Sequence, residues 1–372
     1  MSRLVLSGYY GYRNLGDEAI LAATLQGLRD RGHDVTVLSS NPKWTAETYQ
    51  VRAIKRTHPK VSSALLNADL FVQGGGSLIQ DATSWRSPLF YLAQLANALI
   101  VGTPFMVFAQ GIGPIDRGWL HYLVRETLVH AQALTLRDLD SYRWALANLP
   151  ADLPMALTAD PVYLLDPCDD DRLDELLFQH RIEDLPQPWT LVAIKGNPKD
   201  KRELYAWGEA LNGYAAEQGG SLLLCPFFPG ADGPFYDALQ PAITGPHLRL
   251  PDTLLPAEVL ALIGRCAFVI AGRLHPIIMA ANRRVPFGAI VYDPKMTAAA
   301  AEFGVEPAAR RPLIGHRTLM EKLGEAAEDP GWGSRYGRTL PTLQARAREN
   351  YGVLQAVLEG TLAGSKVTVP LE

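Results

Sequence analysis

The sequence predicts an α/β protein with two doubly wound parallel sheets. Short apolar runs without alternation, typical of strands buried on both faces, are each followed by a glycine-bearing or polar turn and then by an amphipathic stretch. This order of strand, turn and helix is interrupted near residues 166–189 by an acidic segment punctuated by prolines, and then it starts again. At 372 residues the chain is also long enough to bury two cores.

The composition is that of a globular protein, with 48% hydrophobic and 20% charged residues. The net charge of −4 and the lack of a long basic run argue against a protein made mainly for nucleic acid. Three widely spaced cysteines without a CxxC pair predict neither a disulfide framework nor a zinc site, and they suggest the cytoplasm. We expect Cys225 and Cys266 in the core, and no signal peptide or membrane span is visible.

The first half opens with a strand over residues 3–8, a polar loop over 9–18 and an amphipathic helix. The loop lacks the GxGxxG spacing, so a dinucleotide site is not supported. Asn14 and Asp17 lie near the start of the helix, where simple turn chemistry and a ligand-facing role are equally compatible. A later strand, 68–73, ends in a glycine run that either turns sharply or lets a ligand approach the backbone, formed by Gly74, Gly75, Gly76 and Ser77.

The second half contains an apolar strand that ends at Gly272 and is followed by Arg273 and His275. Pro276 suits the first position of the next helix, where its missing N–H costs nothing. Charged groups at the carboxyl end of such a strand face the crevice in which open α/β sheets bind ligands. Three further cations follow other predicted strands: Arg137, Lys195 and Lys295.

We place the domain boundary between residues 167 and 168. Residues 1–167 then form an N-terminal Rossmann-like domain and residues 168–372 a C-terminal one, each with its strand-end loops facing a common cleft. This is the plan of the GT-B glycosyltransferase architecture. The sequence leaves open whether the last long helix, over 340–362, packs back on the N-terminal domain.

The strand-end residues are a cationic set with one carboxylate and one imidazole. Arginine and lysine hold phosphate and carboxylate groups, and histidine exchanges a proton near neutral pH. No metal site is expected, because the histidines are isolated and the acidic run 169–171 lies in the linker. Each cation also has a structural alternative: Lys195 and Lys295 as solvated lysines, and Arg137 as a surface partner of Asp138 or Asp140.

Six segments, in this order along the chain, resemble the polysaccharide pyruvyl transferase family: residues 8–20 (GYYGYRNLGDEAI), 73–77 (QGGGS), 109–114 (AQGIGP), 136–138 (LRD), 272–275 (GRLH) and 292–295 (YDPK). Each motif is modest alone, and their common order is specific. The branch that this chain most resembles pyruvylates a bacterial cell-wall polysaccharide precursor and so creates the ligand of S-layer-homology domains. The visible departure is Arg13, where small or polar residues are common.

The resemblance implies a cytoplasmic enzyme that installs pyruvate from phosphoenolpyruvate on a sugar as a 4,6-linked ketal and releases phosphate. It implies no cofactor, because phosphoenolpyruvate is a co-substrate. The acceptor would be a lipid-pyrophosphate-linked saccharide, often containing N-acetylmannosamine, met by transient contact with the inner membrane face. The resemblance places the acceptor on the N-terminal domain and phosphoenolpyruvate on the C-terminal one.

The roles implied for the site residues follow from this chemistry. His275 would act as general acid, Arg273 and Lys295 would neutralise the donor, and Asp17 would accept a hydroxyl proton. Substrate binding would fall to Asn14, Gly75, Gly76, Ser77, Arg137, Lys195 and Lys295. Two other functions stay open: a nucleotide-sugar-dependent glycosyltransferase of the same fold and a non-catalytic sugar-phosphate-binding protein.

Overall fold

The computed structural model describes residues 1–82, 84–310 and 316–362, which form two compact units. The first unit comprises Met1–Arg13, Asp17–Leu164 and the described chain from Leu343 on; the second comprises Asn14–Gly16 and Leu165–Thr342. The sequence predicts a single boundary after residue 167 and leaves the position of the last helix open. The division by contacts falls after Leu164, and the residues from Leu343 on return to the first unit.

The first unit is built on an eight-stranded parallel sheet in the order β3-β2-β1-β4-β6-β7-β8, with β5 also paired to β6. Its strands are β1 (Arg3–Ser7), β2 (Asp34–Ser39), β3 (Arg52–Lys55), β4 (Leu70–Gln73), β5 (Gly76–Ile79), β6 (Phe105–Ile112), β7 (Leu134–Leu136) and β8 (Met155–Leu157). The strand order reverses between β1 and β4, so these two strands form the switch point at which such sheets bind ligands.

Helices cover the faces of this sheet: α1 (Leu15–Arg29), α2 (Pro42–Tyr49), α3 (Lys60–Leu66), α4 (Arg86–Val101), α5 (Gly118–Leu128) and α6 (Leu139–Asn148). Successive residues of a strand enter opposite core layers: Val5 and Phe71 lie in one layer, and Leu4 and Leu70 in the other. Both faces of the sheet are therefore buried, which explains the unbroken apolar runs in the sequence.

The second unit has a six-stranded parallel sheet in the order β11-β10-β9-β12-β13-β14, with its switch point between β9 and β12. Its strands are β9 (Trp189–Ala193), β10 (Ser221–Leu224), β11 (His247–Arg249), β12 (Phe268–Ala271), β13 (Phe287–Val291) and β14 (Ala309–Arg310). The helices that follow β8 along the chain are α7 (Asp170–Gln179), α8 (Lys201–Gln218), α9 (Pro229–Leu239), α10 (Pro256–Ile263), α11 (Leu274–Asn282), α12 (Pro294–Glu302), α13 (His316–Glu328) and α14 (Trp332–Glu359), the last of which crosses into the first unit at Leu343. The predicted pair of parallel α/β sheets is thus confirmed.

Several details differ from the sequence expectations. Helix α9 begins at Pro229, five residues before its predicted start at 234, because proline fits the first helical position and the Phe228 N–H donates to Asp232 at 2.9 Å. Helix α14 begins at Trp332 and not near 340, and its first turns pack Trp332 on Tyr336 with ring centroids 5.3 Å apart. The acidic run 169–171, expected in the linker between the domains, begins α7, because Asp169 caps this short charged helix by accepting the Arg172 N–H.

Cys225 and Cys266 are buried, as predicted, and burial raises the pKa of both thiols. Within the described residues, no helix is long and apolar enough to cross a membrane.

Candidate functional site

The carboxyl ends of β9, β12 and β13 carry the cations that the sequence analysis selected in the second unit. Because all three strands are parallel, their ends lie at one edge of the sheet. Lys195 follows β9, Arg273 and His275 follow β12, and Lys295 lies in the first turn of α12 after β13. The first two groups therefore flank the switch point between β9 and β12.

Gly272 lets the two central strands of this unit end close together. Its N–H donates to the Ala193 carbonyl at 2.7 Å, and a Cβ at this position would lie 2.9 Å from the Cα of Ile194. Beside it, the Tyr292 hydroxyl donates to the Lys195 carbonyl at 2.6 Å, and the Lys195 ammonium lies 4.6 Å from the centroid of the Tyr292 ring. Tyr292 thus positions both the backbone and the side chain of Lys195.

Arg273 is held by a carboxylate that the sequence analysis missed. Its Nε donates to Oδ2 of Asp232 at 2.8 Å, and its Nη2 pairs with Oδ1, which makes the ion pair bidentate. Asp232 is only 2% exposed and also accepts the Phe228 N–H, whereas the Arg273 side chain is 24% exposed. Asp232 therefore fixes the direction of the Arg273 guanidinium.

His275 lies half-buried in the first turn of α11. Gly16, which belongs to the same unit, packs on its imidazole: a Cβ at Gly16 would lie 2.2 Å from Nδ1. Asn14 accepts the Gly16 N–H at 3.2 Å, and the Leu15 N–H donates to the Phe227 carbonyl at 2.8 Å. The predicted site residue Asn14 therefore lies two residues from a glycine that packs on the proposed acid.

The glycine run of the first unit follows β4 at the other switch point. A Cβ on Gly74 would meet the Tyr10 hydroxyl at 2.4 Å, and one on Gly75 would meet the Ala109 carbonyl at 3.0 Å. Gly76 has a positive φ of 113°, and a Cβ there would lie 3.4 Å from a carboxylate oxygen of Asp17. The run therefore brings backbone, not side chains, up to Asp17.

Arg137 is almost fully buried, and its partners differ from those expected. It donates to Ser77 Oγ at 3.0 Å and forms an ion pair with Asp160. The side chain of Arg137 is 6% exposed and that of Asp160 is 3% exposed. The structural alternative for Arg137, a surface pair with Asp138 or Asp140, is therefore wrong. Asp138 caps α6 by accepting the Ser141 N–H at 2.8 Å, and Asp140 pairs with Arg143. Asp160 lies 23 positions after Arg137, so the local sequence around Arg137 does not indicate this partner.

Glu18, next to Asp17, is a second carboxylate that the sequence analysis did not select. It is 1% exposed and accepts the backbone N–H groups of Gly11 at 2.8 Å and Arg13 at 3.2 Å, and the Tyr49 hydroxyl at 3.1 Å. Burial raises the pKa of Glu18 to about 7. Glu18 thus anchors the loop that precedes α1.

The structure sorts the predicted site residues into two groups. Asn14, Lys195, Arg273, His275 and Lys295 belong to the second unit, and Asp17, Gly75, Gly76, Ser77 and Arg137 to the first. The group in the second unit, which consists of cations, an imidazole and one amide, suits an anionic ligand that must receive a proton. Across residues 1–82, 84–310 and 316–362, no cluster of histidine, cysteine or acidic side chains has a metal-binding arrangement.

Solved structures with similar folds span nearly the whole chain. UDP-GlcNAc 2-epimerase from Neisseria meningitidis, bound to UDP-GlcNAc, has a TM-score of 0.63 at 11% identity, over 95% of this chain and 100% of that chain. S. aureus MnaA in its UDP co-structure has a TM-score of 0.63 at 10% identity, over 99% of each chain. Anabaena Alr3699/HepE in complex with UDP-glucose has a TM-score of 0.56 at 13% identity, over 97% and 99%.

At these identities the similarity shows the fold alone, which is GT-B-like, as the sequence predicted. No curated protein matches the sequence. A profile of the polysaccharide pyruvyl transferases matches residues 14–294, which include the glycine run and both arginine-bearing strand ends. With about three quarters of its length covered by that profile, the chain belongs to the polysaccharide pyruvyl transferase family.

Proposed function

We propose that the chain transfers the pyruvyl group of phosphoenolpyruvate to a sugar, forms a 4,6-linked ketal and releases phosphate. The observation that carries the proposal is the Arg273 guanidinium, held bidentately by buried Asp232 one residue before the helix that bears His275. This arrangement supplies an oriented cation and a proton donor at the switch point of the second unit. Family membership supports the transferase reaction class.

Phosphoenolpyruvate matches the charge of this edge of the sheet. It carries a phosphate and a carboxylate, and arginine and lysine are the side chains that bind such groups. Asp232 engages Nε and Nη2 of Arg273, so a ligand would bind the Nη1 side of the guanidinium. Lys195 and Lys295, both half-buried, would add charge at the neighbouring strand ends.

His275 would begin the reaction by protonating the vinyl carbon C3, which leaves C2 electrophilic. A sugar hydroxyl then bonds to C2, the bond from C2 to the phosphate oxygen breaks, and the second hydroxyl closes the ketal. One hydroxyl proton restores the proton on His275, and the other leaves with the phosphate, so the reaction balances without a cofactor. Asp17, beside the glycine run of the first unit, would be the base that takes the second of these hydroxyl protons before it passes to the phosphate.

The acceptor that we propose is a lipid-pyrophosphate-linked saccharide containing N-acetylmannosamine, as in the S-layer-anchoring branch of the family. The first unit would bind it, and the second would bind phosphoenolpyruvate. Such an acceptor would require a cytoplasmic protein that contacts the inner membrane face transiently.

The fold supports one alternative, a nucleotide-sugar-dependent glycosyltransferase. Its specific support is that similar structures contain UDP-GlcNAc, UDP or UDP-glucose. Calorimetry separates the two functions: binding of a UDP-sugar without binding of phosphoenolpyruvate would favour the alternative.

The direct test of the proposed function replaces His275 with alanine and measures phosphate release from phosphoenolpyruvate in the presence of pyrophosphate-linked disaccharides. We expect a loss of about 10²–10⁴-fold in kcat, the usual contribution of a positioned general acid. The matched control is His247→Ala, because His247 lies in the same unit on β11 and outside the proposed site. Turnover of His275→Ala close to that of the wild type would remove His275 from the mechanism.

A further inference from the structure

A cationic surface in the first unit has no role in the chemistry described so far. Its two guanidiniums belong to Arg13, in the loop after β1, and Arg56, directly after β3. Both residues therefore lie at the carboxyl edge of the sheet, on the side that carries Asp17 and the glycine run. Arg13 is also the residue at which this chain departs from the family motif.

Aromatic rings orient both guanidiniums. The Arg56 guanidinium carbon lies 3.9 Å from the centroid of the Phe90 ring and 5.6 Å from that of Tyr12. The Arg13 guanidinium carbon lies 5.6 Å from the centroid of the Trp44 ring. Stacking on a ring occupies the face of a guanidinium and leaves the N–H groups at its edge directed outward, in the plane in which phosphate oxygens bind.

The charge of these two arginines is not neutralised by acidic side chains. Among the described residues, no carboxylate lies within ion-pair distance of either guanidinium, whereas Arg3, Arg52 and Arg137 of the same unit each pair with an aspartate. Arg56 is half-buried beside two tyrosines: its Nη1 lies 3.4 Å from the Tyr12 hydroxyl, and its guanidinium carbon lies 5.2 Å from the centroid of the Tyr91 ring. Arg13 is exposed. For Arg56, whose N–H groups are partly removed from water, a charged acceptor on a ligand would be a stronger partner than a neutral hydroxyl.

The loop that carries this surface is held in place. Buried Glu18 accepts the backbone N–H groups of Gly11 and Arg13, and Arg13 has a positive φ of 56°. Tyr12 stacks on Tyr9 with ring centroids 4.1 Å apart and an interplanar angle of 10°. Arg13 and its neighbour Tyr12 therefore need little ordering when a ligand binds.

We infer that Arg13 and Arg56 form an anion site for the pyrophosphate that links the acceptor saccharide to its lipid. Two guanidiniums without a carboxylate partner among the described residues suit a ligand with more than one negative charge, and both belong to the first unit, to which the proposed function assigns the acceptor. The inference rests on the proposed function, because it assigns part of the same acceptor to particular residues.

The test compares two soluble probes by calorimetry: a disaccharide ending in N-acetylmannosamine that bears a pyrophosphate with a short alkyl chain, and its neutral methyl glycoside. We expect the full-length protein to bind the pyrophosphate probe at least tenfold more tightly, as charge-assisted hydrogen bonds would make it. Arg56→Gln should abolish this preference, Arg13→Gln should reduce it, and Arg56→Lys should keep part of it.

Arg31→Gln is the matched control, because Arg31 also stacks on a ring, that of Tyr351 at 4.8 Å, but follows the far end of α1. Equal affinity of the wild type for the two probes would overturn the inference. So would a loss of affinity for phosphoenolpyruvate, and not for the pyrophosphate probe, in Arg56→Gln. Both of these results are binding measurements and do not depend on turnover. Failure of the wild type to bind phosphoenolpyruvate, or to release phosphate with any acceptor, would refute the proposed function but not the anion site.

Discussion

The ion pair between Asp232 and Arg273 offers the sharpest test of how the second unit positions its cations. Replacing Asp232 with asparagine keeps the side-chain shape but removes the charge and turns one bond of the bidentate pair into a contact between two donors. The Phe228 N–H can still donate to the amide oxygen, so the start of α9 is expected to persist. The substitution therefore isolates the restraint on Arg273.

The magnitude follows from burial. Removing one partner of a fully buried ion pair costs about 3–5 kcal/mol of stability, and an exposed pair is worth about 0–1 kcal/mol. Asp232 is 2% exposed but the Arg273 side chain is 24% exposed, so water can partly solvate the guanidinium once its charged partner is removed. We expect Asp232→Asn to lower the free energy of unfolding by about 2–3 kcal/mol, between these limits.

Urea unfolding followed by circular dichroism measures this loss, and calorimetry with phosphoenolpyruvate measures the effect on the ligand. The control is Asp237→Asn on the same helix, because Asp237 pairs with Arg249 at 3.1 Å but its side chain is 66% exposed. We expect about 0.5 kcal/mol or less for the control, and a tenfold or greater loss of phosphoenolpyruvate affinity only for Asp232→Asn. Equal stability losses in the two variants would refute the reasoning.

Two further substitutions test the loop before α1 and the close approach of the central strands. Because burial raises the pKa of Glu18 from 4.5 to about 7, its contribution to stability is present below about pH 4.5 and is lost as the pH rises through 7. As the pH rises from about 4.5 to about 7, the free energy of unfolding of the wild type should therefore fall by up to about 3 kcal/mol relative to that of Glu18→Gln, as measured by denaturant titrations at each pH. Parallel pH profiles of the two proteins would contradict this. Gly272→Ala should cost about 1–3 kcal/mol because its Cβ meets the Ile194 backbone, whereas Gly337→Ala, with open space around it, should be neutral or stabilising; equal unfolding midpoints would contradict the packing argument.

Much of the site was predictable because it follows from one rule of parallel sheets. Local patterns identified the strands before Gly74, Lys195 and Gly272, and the carboxyl ends of parallel strands meet at one edge whatever else the fold contains. The residues after those strands could therefore be grouped without knowing the structure. The order of motifs along the chain then indicated the family, which the profile match shows.

The partners of those residues were not predictable in the same way. Asp232 lies 41 positions before Arg273, and Asp160 lies 23 positions after Arg137, in elements that periodicity does not connect to them. The burial of Glu18 and the aromatic supports of Arg56 likewise arise from segments distant in sequence. An ion pair between distant residues leaves no local pattern, because many aspartates along the chain are compatible with it.

The sequence by itself determined that the chain forms two parallel α/β sheets and that Arg273 and His275 stand at the carboxyl end of a strand, the edge at which open α/β sheets bind ligands. Apolar periodicity and strand direction are local properties, which is why the sequence could determine them. Tertiary structure alone decided which charges remain available. Arg137 is neutralised inside the first unit by Asp160, Arg273 is oriented by Asp232, and Arg13 and Arg56 are held on aromatic rings. The physical reason is that charge and burial depend on which distant side chains fold against one another, and that is a property of packing.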